Sequence, residues 1–120
     1  MSRKTREQTQ VITIPSGTPA GGIQAAKITL DTSFERAEGV NIVEIAAGGL
    51  AYYRLSIQDS VGNVHTDMAH KKTYEFDPER AYKEVDIPIV DRQILVRIDL
   101  PEATTAALVF DISFKLTNRG

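Results

Sequence analysis

The strongest constraint on the fold is an alternating pattern near the end of the chain, over Ala107–Thr117. Successive side chains of a β-strand point to opposite faces, so alternation with a period of two is typical of a strand. One face holds only large apolar residues, which are Leu108, Phe110, Ile112, Phe114 and Leu116. The other face is mostly polar and holds Val109, Asp111, Ser113, Lys115 and Thr117. The pattern predicts a long strand with one buried face and one largely wet face.

The same period recurs along most of the chain, and no segment shows a comparable helical period. Eight or nine short strands, spaced by turn signals, indicate a β-sandwich or barrel. We expect one all-β, antiparallel sandwich, either jelly-roll-like or another Greek key, with an immunoglobulin-like arrangement as the second choice. The predicted strands are Gln8–Ile14, Ala25–Leu30, Gly39–Ala46, Tyr52–Gln58, Val64–Asp67, Lys72–Phe76, Glu84–Val90, Gln93–Leu100 and Ala107–Thr117.

Two of these strands carry local irregularities. In Gly39–Ala46 the apolar residues change sides, which predicts either a β-bulge near Ile42 or burial on both faces. In Glu84–Val90, Pro88 has no backbone N–H, so this strand is expected at a sheet edge. Asp59–Asn63 has the glycine and asparagine of a hairpin turn.

Length and charge indicate one domain with a basic start. The 120 residues fit a single sandwich over residues 7–120, preceded by a flexible basic arm over residues 1–6. Arg3, Lys4 and Arg6 take three of the chain's 14 basic side chains and leave 11 against 16 acidic ones. An acidic body is a poor nucleic-acid binder, so nucleic-acid contact is expected only through the arm.

Several classes of segment and cross-link are not predicted. The chain has no cysteine, which excludes disulfides and thiolate metal sites. Polar residues follow the basic start, so no secretory signal is expected. No stretch reaches the roughly 20 apolar residues of a membrane-spanning helix.

Metal binding and catalysis have weak candidates. His65, Asp67 and His70 combine two imidazoles with a carboxylate, a ligand set that iron accepts. Both histidines fall in one polar loop, whereas such a site draws its second histidine from a distant strand, so we expect no metal or other cofactor. No activated nucleophile motif is present, and the chain is not expected to be an enzyme.

The chain resembles the small β-sandwich structural proteins of bacteriophage virions, of the capsid-decoration, spike or minor-capsid type. The resemblance covers the full length and lies in the basic arm Ser2–Arg6, the Thr/Val/Ile-rich first strand, the Pro/Gly loop Pro15–Gly22 and the aliphatic strands. It implies a non-enzymatic virion protein, assembled in the host cytoplasm, that contacts itself and other virion proteins. The expected partner contacts are Arg3, Lys4, Arg6, Val11 and the outward-facing Tyr52.

Two other functional classes stay open. A carbohydrate-binding or adhesion module would use exposed aromatic side chains, of which Tyr52 is the best candidate. A small cupin-like enzyme would need a metal at His65, Asp67 and His70.

Overall fold

The computed structural model describes residues 4–75, 82–89 and 93–118, which form eight β-strands and one short 3₁₀ helix. In chain order the strands are β1 (Lys4–Ile14), β2 (Gly21–Thr29), β3 (Arg36–Ala47), β4 (Arg54–Asp59), β5 (Val64–His70), β6 (Lys83–Pro88), β7 (Gln93–Leu100) and β8 (Leu108–Asn118). The 3₁₀ helix spans Lys71–Thr73, between β5 and β6.

The strands form two antiparallel four-stranded sheets. The first sheet has the order β1-β8-β3-β6 and the second has the order β2-β7-β4-β5. This topology is that of one long hairpin rolled up on itself. The hairpin contains the ladders β1–β8, β2–β7, β3–β6 and β4–β5, and rolling it up creates the ladders β3–β8 and β4–β7. Eight strands in two Greek keys make a jelly roll, and the expected all-β sandwich is confirmed.

The last strand lies at the centre of the first sheet, as its alternation predicts. β8 pairs with β1 on one side and with β3 on the other. Its five inward side chains, which are Leu108, Phe110, Ile112, Phe114 and Leu116, have no solvent exposure. Ser113 and Thr117 on the opposite face are also buried, because neighbouring strands flank both of them.

The core fills the space between the two sheets. Tyr53, Leu55 and Ile57 face inward from the second sheet with no exposure, and Tyr53 stacks on Phe110 of the first sheet. Burial of such apolar side chains contributes about 1.5–3 kcal/mol each and is the main force that holds the sheets together.

Each sheet has two edge strands, and one of the four was predicted from the sequence. β6, which contains Pro88, is an edge of the first sheet as predicted. β1, the strand predicted over Gln8–Ile14, is the other edge of that sheet and begins earlier than expected. Lys4 and Arg6, assigned to the flexible arm, already pair with Asn118 and Leu116 of β8. The rest of the arm, residues 1–3, lies outside the described residues.

The predicted strand Lys72–Phe76 is wrong. The chain forms a 3₁₀ turn here, with the Tyr74 N–H donating to the Lys71 carbonyl at 3.0 Å. The Tyr74 side chain is buried, and its hydroxyl donates to the Leu55 carbonyl at 3.0 Å. This tertiary contact, which no local pattern reveals, overrides strand propensity. Phe76 lies outside the described residues.

The predicted bulge near Ile42 is also wrong. Ile42 pairs in regular register with Ile112 of β8, and the two register shifts of β3 fall at Glu38 and Ile45. Burial on both faces, the other expectation, is wrong for Val43, which is exposed. β3 therefore keeps its alternation of inward and outward side chains through Ile42. Beyond Ile42, its large apolar side chains are exposed to solvent.

Candidate interaction surface

The solvent side of β1, β8 and β3, called here the outer face, carries exposed apolar side chains. Because Ile12 and Ile42 point into the core, their neighbours Val11 and Val43 point outward. Both valines pair with Asp111 of β8, so Val11, Asp111 and Val43 form one row across three strands, called here the valine row. Val11 is 57% exposed and Val43 is 58% exposed. The row is a strip of apolar surface with a single central carboxylate.

The bulge in β3 extends this strip. Ile45 is the extra residue between Glu44 and Ala46, and its side chain is 61% exposed. Ala46 pairs with Val109, whose side chain is half-buried. Monomeric proteins often expose single apolar side chains, whereas large contiguous apolar patches mark interaction sites.

Polar residues of β8 continue the outer face away from the valine row. Asp111, Ser113 and Lys115 point outward in succession, with the serine midway between the opposite charges. The Ser113 hydroxyl lies 2.9 Å from the Thr9 hydroxyl of β1, and this hydrogen bond satisfies a buried group. Among the described residues, neither Asp111 nor Lys115 forms an ion pair within the chain.

Tyr82 crosses the outer face at the far end of this surface. Its ring lies against Gly39 of β3, and its hydroxyl donates to the Glu7 carboxylate of β1. Burial, the hydrogen bond and the charge of Glu7 raise the pKa of Tyr82 to about 12, so the hydroxyl stays protonated at neutral pH. Because it lies across Gly39, the Tyr82 side chain forms a raised aromatic ridge on an otherwise flat sheet.

The solvent side of the second sheet has a different character. Its outward side chains on β2, β7 and β4 include Gln24, Lys27, Arg54, Gln58, Leu95, Arg97 and Asp99. Leu95 is the large apolar residue among them and is half-buried. The edge strand β5 adds the exposed side chains Val64, at 54%, and Met68, at 40%. Exposed apolar side chains of the second sheet therefore lie at its edge, whereas those of the first sheet reach across β8 from β1 to β3.

His65 contacts a buried carboxylate that sequence reasoning did not pair with it. The imidazole Nε2 lies 2.9 Å from Asp59 Oδ2, and the Asp59 side chain has no solvent exposure. The Asp59 carboxylate also accepts hydrogen bonds from the N–H groups of Val61 and Asn63 and from the Asn63 amide. Burial alone would raise the pKa of Asp59, but these hydrogen bonds outweigh it and lower the pKa to about 2. The Asp59 carboxylate and its hydrogen-bond donors therefore hold the β4–β5 hairpin turn together.

The candidate metal ligands are not brought together. One register shift of β5 falls at His65, and the other falls between Thr66 and Ala69, in the stretch that contains Asp67. The His70 ring stacks on Tyr52, with centroids 5.6 Å apart, while Asp67 is exposed. The described residues contain no group of three acidic, histidine or cysteine side chains arranged to hold a metal ion.

The predicted partner contacts have varied positions. Val11 belongs to the valine row, and Tyr52 is 39% exposed beside His70. Arg6 forms an ion pair with Asp31, at 2.6 Å between Nη1 and Oδ2, that ties β1 to the loop after β2. Arg3 and the side chain of Lys4 lie outside the described part of the chain.

No protein-family model matches the chain, and no curated protein matches it. Within the described residues, no helix has the length and apolarity needed to cross a membrane.

Sequence reasoning missed most of the outer face. The outward pair Val43 and Ile45 is visible in the alternation of β3, but alternation does not say which face is covered. Tyr82 lies in a segment without a strand pattern, and its position over Gly39 depends on tertiary structure.

Proposed function

We propose that the protein is a non-enzymatic structural component of a bacteriophage virion, either a capsid or a head-associated protein. It acts through contacts with further copies of itself and with other virion proteins. The jelly roll supports this proposal by analogy of fold, since viral capsid domains use it, as do lectins and cupins.

The observation that carries the proposal is the apolar outer face. Val11 of β1 and Val43 and Ile45 of β3 are each more than half exposed, and only β8 lies between these two strands. Apolar side chains grouped on one face gain free energy when a partner removes them from water, by about 25 cal/mol per Å². A protein that assembles with others needs such a surface, whereas an enzyme needs a cluster of reactive side chains.

The unpaired edge of β1 adds to this surface. β1 pairs with β8 on one side, and it is the terminal strand of the first sheet. An edge strand offers backbone donors and acceptors to a neighbouring chain unless it is covered. Assembly partners can therefore reach both the edge of β1 and its apolar outward residue, Val11.

A direct test looks for the protein in virus particles. Particles released from cells that carry the gene are banded on a density gradient and probed with an antibody against the purified chain. We expect the protein in the particle band. Its antibody signal there should remain after trypsin has digested the free, soluble protein. A signal only in the soluble fraction, or specific glycan binding by a chain absent from particles, would contradict the proposal.

A further inference from the structure

We propose that two copies of the chain pack face to face through the outer face. The two-fold axis that relates them passes Ser113, runs parallel to the plane of the sheet and is perpendicular to β8. This inference rests on the proposed assembly function and specifies the partner and the geometry of one contact. In this arrangement β8 of one copy lies antiparallel over β8 of the other, so a single surface serves both sides.

The charges of β8 are self-complementary about this axis. Asp111 and Lys115 lie two residues before and after Ser113, on the same face of the strand. The two-fold rotation places Asp111 over the partner's Lys115 and Lys115 over the partner's Asp111. Neither side chain has an ion pair within the described chain, so both are available for these contacts.

The shapes of the two halves of the surface are complementary as well. Tyr82 crosses the row that contains Glu7, Lys115 and Gly39. The same rotation sets this aromatic ridge over the flat valine row of the second copy. Aromatic and aliphatic side chains then pack together at the centre of the contact, and the ion pairs fix its register.

The other way to stack the two faces is disfavoured by charge. An axis parallel to β8 would place Asp111 directly over Asp111 and Lys115 directly over Lys115 of the second copy. Like charges in contact across an interface cost several kcal/mol. The perpendicular axis is therefore the arrangement that satisfies both charged residues.

Charge reversal tests this geometry with the full chain. Asp111→Lys gives a face with two lysines, and Lys115→Asp gives a face with two aspartates. We expect light scattering to show the mass of two chains for the wild type and of one chain for each variant alone. An equimolar mixture of the variants should regain the double mass, because every contact then joins opposite charges. The double variant, which exchanges the two charges, should also regain it.

The control is Lys27→Asp, which reverses an exposed charge on the second sheet and should leave the mass at two chains. Circular dichroism and melting temperature establish that each variant is folded. If the wild type assembles and both single reversals assemble equally, the two-fold contact is wrong while the proposed function stands. A wild type with the mass of one chain at every concentration overturns the contact, and its absence from particles overturns the function too.

Discussion

Tyr82 lies so close to Gly39 that a Cβ on the glycine would fall 2.7 Å from the Tyr82 Cβ and 2.9 Å from its Cγ. Both atoms belong to the stem of the tyrosine, which cannot move away without shifting the backbone. The glycine thus allows an aromatic side chain to lie flat across β3 and reach Glu7 on β1. This contact covers one end of the outer face and leaves the valine row open.

The first prediction concerns Gly39→Ala. Alanine in a strand is ordinarily more stable than glycine by about 0.5–1 kcal/mol. Here the methyl group must displace Tyr82, so we expect a loss of unfolding free energy, measured by urea denaturation. Gly22→Ala is the matched control, because nothing lies within 4 Å of the Cβ it would add in β2. It should be neutral or stabilising, and the same result at Gly39 would show that Tyr82 does not occupy this position.

The second prediction concerns the centre of the core. Phe114 and Phe110 have no solvent exposure. Replacement of either one by alanine should lower the free energy of unfolding by about 3–5 kcal/mol, the usual range for a buried phenylalanine. Lys27→Ala, at an exposed position of β2, should stay within about 0.5 kcal/mol of the wild type. Equal urea midpoints for Phe114→Ala and Lys27→Ala would contradict the assigned inner face.

The third prediction concerns Asp59 and pH. The folded pKa of about 2 lies below the ordinary value of 3.8, so the ionised carboxylate stabilises the fold at pH values above about 4. Asp59→Asn should cost about 1–3 kcal/mol at neutral pH, because it leaves buried donors without their charged acceptor.

The pH dependence separates this charge effect from a packing effect. The stability difference between wild type and Asp59→Asn should shrink as the pH falls from 4 towards 2, where Asp59 becomes protonated. Urea midpoints measured for both proteins across this range provide the check. A difference that stays constant down to pH 2 would show that the charge of Asp59 does not stabilise the turn.

The regular parts of the fold could be predicted because their alternation reports burial directly. β7 has the predicted bounds Gln93–Leu100, and the inward residues of β8 are those that the pattern indicates. Tyr74 shows the limit of this reasoning. Its anchor is the carbonyl of Leu55, 19 residues earlier in the chain, so no local pattern could reveal the 3₁₀ turn.

The candidate surface could be predicted only in part. Val11 was expected at a partner contact. Its alignment with Asp111 and Val43 depends on the pairing of three strands that are distant in sequence. Asp59 and His65 show the same limit, because the bulges of β5 decide which side chain meets the buried carboxylate.

The most direct test of the assembly account is the mass of the purified chain by light scattering, compared between Val43→Ser and Val61→Ser. Both valines are exposed, at 58% and 64%, but Val43 lies in the valine row and Val61 lies in the β4–β5 turn. We expect the wild type and Val61→Ser to share the mass of an assembled form, while Val43→Ser falls towards the mass of one chain. Equal masses for the two variants would contradict the claim that the protein assembles through its outer face.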